Sequence, residues 1–247
     1  PKEIRTVQPL EMKEPETHAT AVRTEENRLK SVSTERNIPV ETKCDRQETR
    51  EEKPKMPELR FTGKAFAYLK IAEGCNHRCA YCAIPGIRGK FRSRPMADIL
   101  REARALIKSG CRELNIVAQD PMLYGCDFKD KTRLSDLLWK LDALKGDFWI
   151  RVLYSYPSEI TEEFLCWLIN SPHAVKYLDV PFQHTVPEVL VKMNRRKTIP
   201  ATEELVDALR ELVPGITLRT TIMTGFPGET SLRFKKMMSD LKRMQFD

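Results

Sequence analysis

The chain has 247 residues, of which 41% are hydrophobic and 31% charged, with a net charge of +7. That length fits one large domain or two small ones, and the apolar content is that of a globular protein. No run approaches the ~18 apolar residues of a membrane-crossing helix, and Pro1-Lys2-Glu3-Ile4-Arg5 holds no apolar signal core.

The seven cysteines are an odd number, and three of them fall between positions 75 and 82. This speaks against a secreted disulfide framework and for a metal or redox site in a reducing compartment, by default the cytoplasm. The basic balance suits an RNA-rich or acidic partner, although solubility alone also accounts for it.

Residues 1–60 contain no Phe, Trp or Tyr and carry 13 basic and 13 acidic residues. Such a segment buries too little apolar surface to offset its ordering entropy, so it reads as a disordered charged arm. The core domain is expected over residues 61–247, where the whole positive balance sits. From Phe66 onward, strand patterns alternate with helix patterns. Strands are expected at Phe66 to Ala72, Glu113 to Ala118, Phe148 to Tyr154, Val175 to Val180 and Thr217 to Met223. Helices are expected at Met96 to Ser109, Leu134 to Leu144, Ile160 to Ile169, Glu188 to Met193, Thr202 to Leu212 and Leu232 to Met244.

Strand–helix alternation with right-handed crossovers makes a parallel sheet, open or curled into a partial barrel. Ligands in such α/β folds gather at the carboxyl ends of the strands. The segments following the strands, Gly74–Cys82, Gln119–Gly125, Ser155–Pro157, Pro181–His184 and Gly225–Glu229, are therefore expected to converge.

The first of these segments is Gly74-Cys75-Asn76-His77-Arg78-Cys79-Ala80-Tyr81-Cys82. Cysteine thiolates are the standard ligands of iron–sulfur clusters. Three on a short loop can hold three irons of a 4Fe-4S cube and leave the fourth open to the amino and carboxylate groups of S-adenosylmethionine. The alternative is a zinc ion with His77 as fourth ligand, but no distant Cys-x-x-Cys or His-x-x-x-His supplies the second knuckle of a structural zinc site.

Elsewhere, His173 and His184 are single histidines, His184 lying at the mouth. Cys126 sits in a strand-end loop that could face the site, whereas Cys111 and Cys166 fall in apolar patterns and read as small buried residues. Arg88, Lys90, Arg92 and Arg94 form a basic run after the cysteines, and a solvated loop accounts for at least half of it.

The Cys-x-x-x-Cys-x-x-Cys spacing, with Tyr81 before the last cysteine, resembles the radical S-adenosylmethionine superfamily. The flanks Ala67 to Gly74 and Ala83 to Pro95 resemble its methylthiotransferase family. The likeness is greatest to the branch that adds a methylthio group to the β-carbon of an aspartate of ribosomal small-subunit protein twelve, which Ala118-Gln119-Asp120, Tyr124-Gly125, Tyr154-Ser155-Tyr156-Pro157, Tyr177 to His184 and Thr220 to Thr230 also resemble. A sibling branch modifies adenosine in transfer RNA.

This resemblance implies a partial (β/α)6 barrel in which Cys75, Cys79 and Cys82 hold the cluster and carry the radical step. It implies S-adenosylmethionine contacts at Tyr81, Gln119, Gln183, Gly225, Gly228 and Glu229, with Gln119 and Asp120 near the methionine end and Gln183 near the ribose. In Met193-Asn194-Arg195-Arg196, Arg195 offers a guanidinium to the cofactor carboxylate, a bidentate pairing that arginine suits, and a solvated helix end accounts for it equally. The resemblance also implies a ribosomal protein or ribosome as partner and a reducing electron donor.

Against the family pattern, only Cys44 precedes the core where a three-cysteine domain is normal. Pro121-Met122 replace small hydroxyl residues, and Asp247 falls where a sixth strand is expected. The expectation is thus a core truncated before its last strand, and a cluster-binding remnant without turnover stands as a rival to the enzyme.

Overall fold

The computed structural model describes residues 65–195 and 202–247, with side chains assigned at 65–195 and 204–247. The charged arm expected over residues 1–60 and Cys44 lie outside the described residues.

Five main strands appear in the expected places. Strand β1 (Phe66–Lys70) pairs in parallel with β4 (Glu113–Val117), and β4 with β5 (Trp149–Val152). Their register aligns Ala67, Leu114 and Ile150 in one row and Leu69, Ile116 and Val152 in the next, and all six are buried. The chain crosses from this sheet to β6 (Tyr177–Asp179) through a parallel bridge between Ile150 and Ala174. β6 in turn pairs in parallel with β7 (Thr217–Arg219). The strands form an arc, and no pairing among the described residues closes it between β7 and β1.

The helices follow from their sequence periodicity. Helix α2 (Met96–Lys108) buries Ile99, Ala103 and Leu106 at helical spacing and ends before Gly110. It packs on β1 and beside α3 (Leu134–Asp142), which packs on α4 (Glu162–Asn170). Thr161 caps α4 by accepting the Phe164 N–H at 3.2 Å. Trp167 of α4 is fully buried in the core. Helices α5 (Pro187–Lys192), α6 (Thr202–Leu212) and α7 (Ser231–Met244) complete the outer layer, with Thr230 capping α7 through the Arg233 N–H at 3.3 Å.

Three features depart from the sequence reading. Two-residue strands β2 (Ala72–Glu73) and β3 (Arg92–Ser93) pair antiparallel, too short for any periodicity to reveal. A short helix, α1 (Ile84–Arg88), forms despite Pro85 and Gly86, because proline is tolerated in the first turn. The strand at Phe148 to Tyr154 stops at Val152, since Tyr154 takes a left-handed backbone (φ 65°) that ends the ladder.

The opposite face of the sheet mixes the exposed rings of Phe66, Tyr68 and Trp149 with ion pairs. Arg151 binds Glu113 at 2.8 Å and lies over the Tyr177 ring, and Asp179 accepts from Arg219 at 3.0 Å. Burial pushes the Asp179 carboxyl up, opposed by the Arg219 guanidinium and the Tyr154 N–H, and its second oxygen has no partner. A raised folded-state pKa means that stability falls as pH rises through that value, once the buried group ionises. Asp179→Asn should therefore melt at a higher temperature than the parent at neutral pH. The difference should vanish below the ordinary carboxylate range, as read from thermal melts across acid to neutral pH.

Candidate functional site

The paired β2 and β3 strands clasp residues 74–91 into a closed loop that begins with the cysteines. Gly74 has φ +80°, and a Cβ there would stand 2.2 Å from the Lys90 carbonyl oxygen, so the two ends of the loop approach at a distance only glycine permits. The Cys75 N–H donates to the Gly89 carbonyl at 3.2 Å, and the Phe91 N–H donates to Asn76 Oδ1 at 3.0 Å. The top of the loop is held from the other side of the arc. Asn194, in the left-handed conformation (φ 57°), ends α5. This turn aims three groups at the cysteines: the Met193 carbonyl accepts the Ala80 N–H at 2.9 Å, Asn194 Nδ2 donates to the Arg78 carbonyl at 2.7 Å, and Arg195 reaches Cys79 Sγ at 3.6 Å.

Cys75, Cys79 and Cys82 carry free thiols, the first two partly buried and Cys82 exposed. Burial pushes the Cys75 thiol up to about 11, with Asp120 and the neighbouring cysteines adding to the rise. A thiol in such surroundings becomes a thiolate only when positive charge arrives with the ligand it binds.

His77, the fourth ligand that zinc would require, is engaged elsewhere. Its Nε2 lies 2.7 Å from Asp120 Oδ2, and its ring stacks on Tyr156 at 3.9 Å. Among the described residues, no three His, Cys, Asp or Glu side chains converge on a single-ion position. A cube needs no such convergence, because each thiolate binds a different iron.

The strand-end segments converge as expected. His77 of the first touches Asp120 of the second and Tyr156 of the third. Arg195 donates to the Pro181 carbonyl of the fourth at 2.7 Å, and Tyr81 meets Phe226 of the fifth edge-on. Tyr156 is the residue that sequence reasoning undervalued. Its ring receives both His77 and the Arg195 guanidinium, which lies 4.2 Å from its centroid. Its place in a strand-end motif was the available signal.

The remaining candidates divide by exposure. Gln119 is exposed beside buried Asp120, whose Oδ1 accepts the Met122 N–H at 3.2 Å and so caps the short 3-10 turn at Pro121–Leu123. Gln183 adopts a left-handed backbone (φ 70°), a strained state for a non-glycine residue, and is fixed by Thr221 and Met223. Glu229 turns inward: one oxygen accepts from His184 Nε2 at 3.2 Å and the other from the Gly225 N–H. His184, fully buried, has its Nδ1 accepting the Val186 N–H at 2.9 Å, which leaves the proton on Nε2 for Glu229. Gly228 lies under Lys192, whose Nζ would be 2.1 Å from a Cβ at that position.

In the basic run, Arg88 pairs with Glu73 at 3.0 Å and Arg94 with Glu102 at 2.7 Å, while Lys90 and Arg92 are exposed. Cys111 and Cys166 are buried, and His173 stacks on Phe148 away from the mouth. Cys126 packs partly buried against the core.

A family model described as the Radical SAM superfamily matches residues 69–241, most of the chain. The chain belongs to the radical SAM superfamily. Among curated proteins, the ribosomal protein uS12 methylthiotransferase RimO of Geobacter sulfurreducens is 48% identical over 181 residues, covering 73% of this chain and 40% of that protein. The enzyme of the same name from Desulforudis audaxviator is 46% identical over 199 residues, covering 80% and 43%. The chain thus spans about two fifths of the length of these curated relatives.

Among solved structures, the radical S-adenosylmethionine methyltransferase TsrM from Kitasatospora setae superposes with a TM-score of 0.58 at 21% identity, covering 72% of this chain and 34% of that one. The cobalamin-dependent radical enzyme OxsB superposes at 0.56 and 15%, covering 73% and 27%. At these identities the likeness establishes the radical SAM fold. In this radical SAM chain the clasp at Gly74 is the local requirement of the site. Gly74→Ala should cost about 1–3 kcal/mol of stability through strain and crowding, with a lower urea midpoint and less iron bound per chain after anaerobic loading. An unchanged midpoint and full iron loading would contradict the role of this glycine.

Proposed function

We propose that this chain carries the radical step of a methylthiotransferase acting on ribosomal protein uS12, with Cys75, Cys79 and Cys82 holding a 4Fe-4S cluster that binds S-adenosylmethionine at its open iron. One observation carries the reading: three free thiols sit on a loop clasped at its base and pinned at its top, at the mouth where all five strand-end segments meet. Nearly half-identical relatives named as uS12 methylthiotransferases support the substrate assignment. The acceptor carbon follows from the motif resemblance and is the β-carbon of an aspartate.

When bound, the cluster would supply the electron that cleaves the sulfonium of S-adenosylmethionine, chemistry that belongs to the cofactors rather than to the protein. The protein's part is position and the exclusion of water. The clasp fixes the separation of the three thiols. His77, Tyr156 and Arg195 stack into a wall beside them. Gln119, exposed at the rim, and Gln183, held in its strained backbone, offer amides to the amino-acid and ribose ends of the cofactor. Glu229, held by His184, supports the Gly225–Gly228 turn from inside, which leaves that turn's backbone to meet the adenosyl group.

Anaerobic reconstitution with iron and sulfide should give about four irons per chain and release 5′-deoxyadenosine from S-adenosylmethionine under a strong reductant. Cys79→Ala should lose the release by at least about tenfold, since one iron loses its thiolate. Colourless protein loaded with zinc would refute the cluster assignment. Incubation of the reconstituted chain with S-adenosylmethionine, a reductant and methanethiolate as sulfur donor, together with uS12 or, separately, total transfer RNA, should add methylthio mass to the protein alone; mass on the RNA would move the assignment to the sibling branch.

A further inference from the structure

Arg195 is 3% exposed, and no carboxylate among the described residues pairs with it. Its Nη2 donates to the Pro181 carbonyl at 2.7 Å. Its Nη1 faces Cys79 Sγ at 3.6 Å and the Tyr81 hydroxyl at 3.4 Å, and its plane lies against Tyr156. Nε is buried without a partner. A buried guanidinium with no carboxylate partner among the described residues is costly unless negative charge is brought to it. Three thiolates and a cube would bring that charge. With a 2+ core, three thiolates give a net −1, and the one-electron reduced state gives −2. A cation next to Cys79 stabilises the second state more than the first. A charge-assisted N–H donor to a ligand sulfur acts in the same direction.

We propose that Arg195 tunes the reduction potential of the cluster, by donating an N–H to the Cys79 sulfur and placing a buried positive charge beside it. This positioning role differs from a clamp on the carboxylate of S-adenosylmethionine, which the residue type alone would suggest. The end of the short helix α5 delivers it. Asn194 ends that helix in a left-handed turn, the Arg195 N–H closes the turn on the Leu190 carbonyl at 2.8 Å, and the side chain then spans from the Pro181 segment to the cysteine loop. Tyr156 holds the guanidinium plane in orientation through its ring face. The inference rests on the assignment of Cys75, Cys79 and Cys82 as cluster ligands.

The test is a redox titration of the reconstituted full chain, followed by electron paramagnetic resonance, in the absence and presence of S-adenosylmethionine. Iron loading is measured first. If wild type takes up no iron, the ligand assignment fails; with iron bound, the titration addresses Arg195 alone. Arg195→Gln, which keeps a donor but no charge, and Arg195→Leu should both have a more negative midpoint than wild type without S-adenosylmethionine. Leu should shift further, and Arg195→Lys should recover part of the difference. An unchanged midpoint in Arg195→Gln, with affinity for S-adenosylmethionine reduced about tenfold or more, would overturn the proposal in favour of the carboxylate clamp. Because these variants could fail to load iron, a second measurement uses wild type only. With arginine labelled with 15N only at its guanidinium nitrogens, the reduced cluster should show a weak 15N coupling in its pulsed spectrum before any S-adenosylmethionine is added. No arginine nitrogen coupling would refute a donor at Cys79.

Discussion

The site depends on a two-residue antiparallel clasp. Ala72 with Ser93 and Glu73 with Arg92 close the base of an 18-residue excursion from the first strand, and without them the three cysteines would be distributed over a free loop. Closing a loop of that length has an entropic cost, and two ladder pairs alone do not offset it. The remainder comes from groups that meet the loop at other points: the Gly89 carbonyl at Cys75, Asn76 at Phe91, and the end of α5 at Arg78, Cys79 and Ala80. The loop is thus fixed from opposite ends of the sheet arc, by the strand it leaves and by a helix more than a hundred residues later.

Tyr156 joins the two halves. It stands after β5, in the middle of the arc, and receives the His77 ring from the cysteine loop and the Arg195 guanidinium from α5. Asp120 extends the connection to β4, since one carboxylate oxygen meets His77 while the other caps the next turn. The convergence of strand ends that a parallel α/β sheet provides in general becomes here a specific chain of stacked and hydrogen-bonded side chains. A second chain, Val186 to His184 to Glu229 to Gly225, does the same for the glycine turn at the far end. Each network engages polar groups that the sequence alone offers as cofactor ligands: Glu229 bridges His184 and the Gly225 N–H, and Asp120 bridges His77 and the Met122 N–H.

Much of the fold could be read from periodicity, because its strands are short apolar runs and its helices show one buried stripe. Ile99, Ala103 and Leu106 declared α2, and the Gly and Pro punctuation at Gly110, Gly146 and Pro214 set the boundaries. The cysteine spacing marked the site. Three things escaped. The β2–β3 clasp is two residues long and has no period. Helix α1 contains Pro85 and Gly86, residues that read as breakers. Tyr154, Gln183 and Asn194 take left-handed backbones at the points where strand or helix must stop, and only tertiary contacts impose such conformations on ordinary side chains. At the site, residue types indicate which groups are present but not what they touch: the Arg195 guanidinium reaches the Cys79 sulfur and the Tyr156 ring, and the His77 imidazole stacks on Tyr156 and meets Asp120.

The central claim is that the clasped loop binds three irons of a cube and leaves the fourth to a small ligand. Mössbauer spectroscopy of the chain reconstituted with 57Fe tests it most directly. On addition of S-adenosylmethionine, about one quarter of the iron absorption should move to a larger isomer shift while the rest stays unchanged, as expected of a cube with one open corner. A spectrum in which all irons respond alike, or in which none responds, would contradict the account.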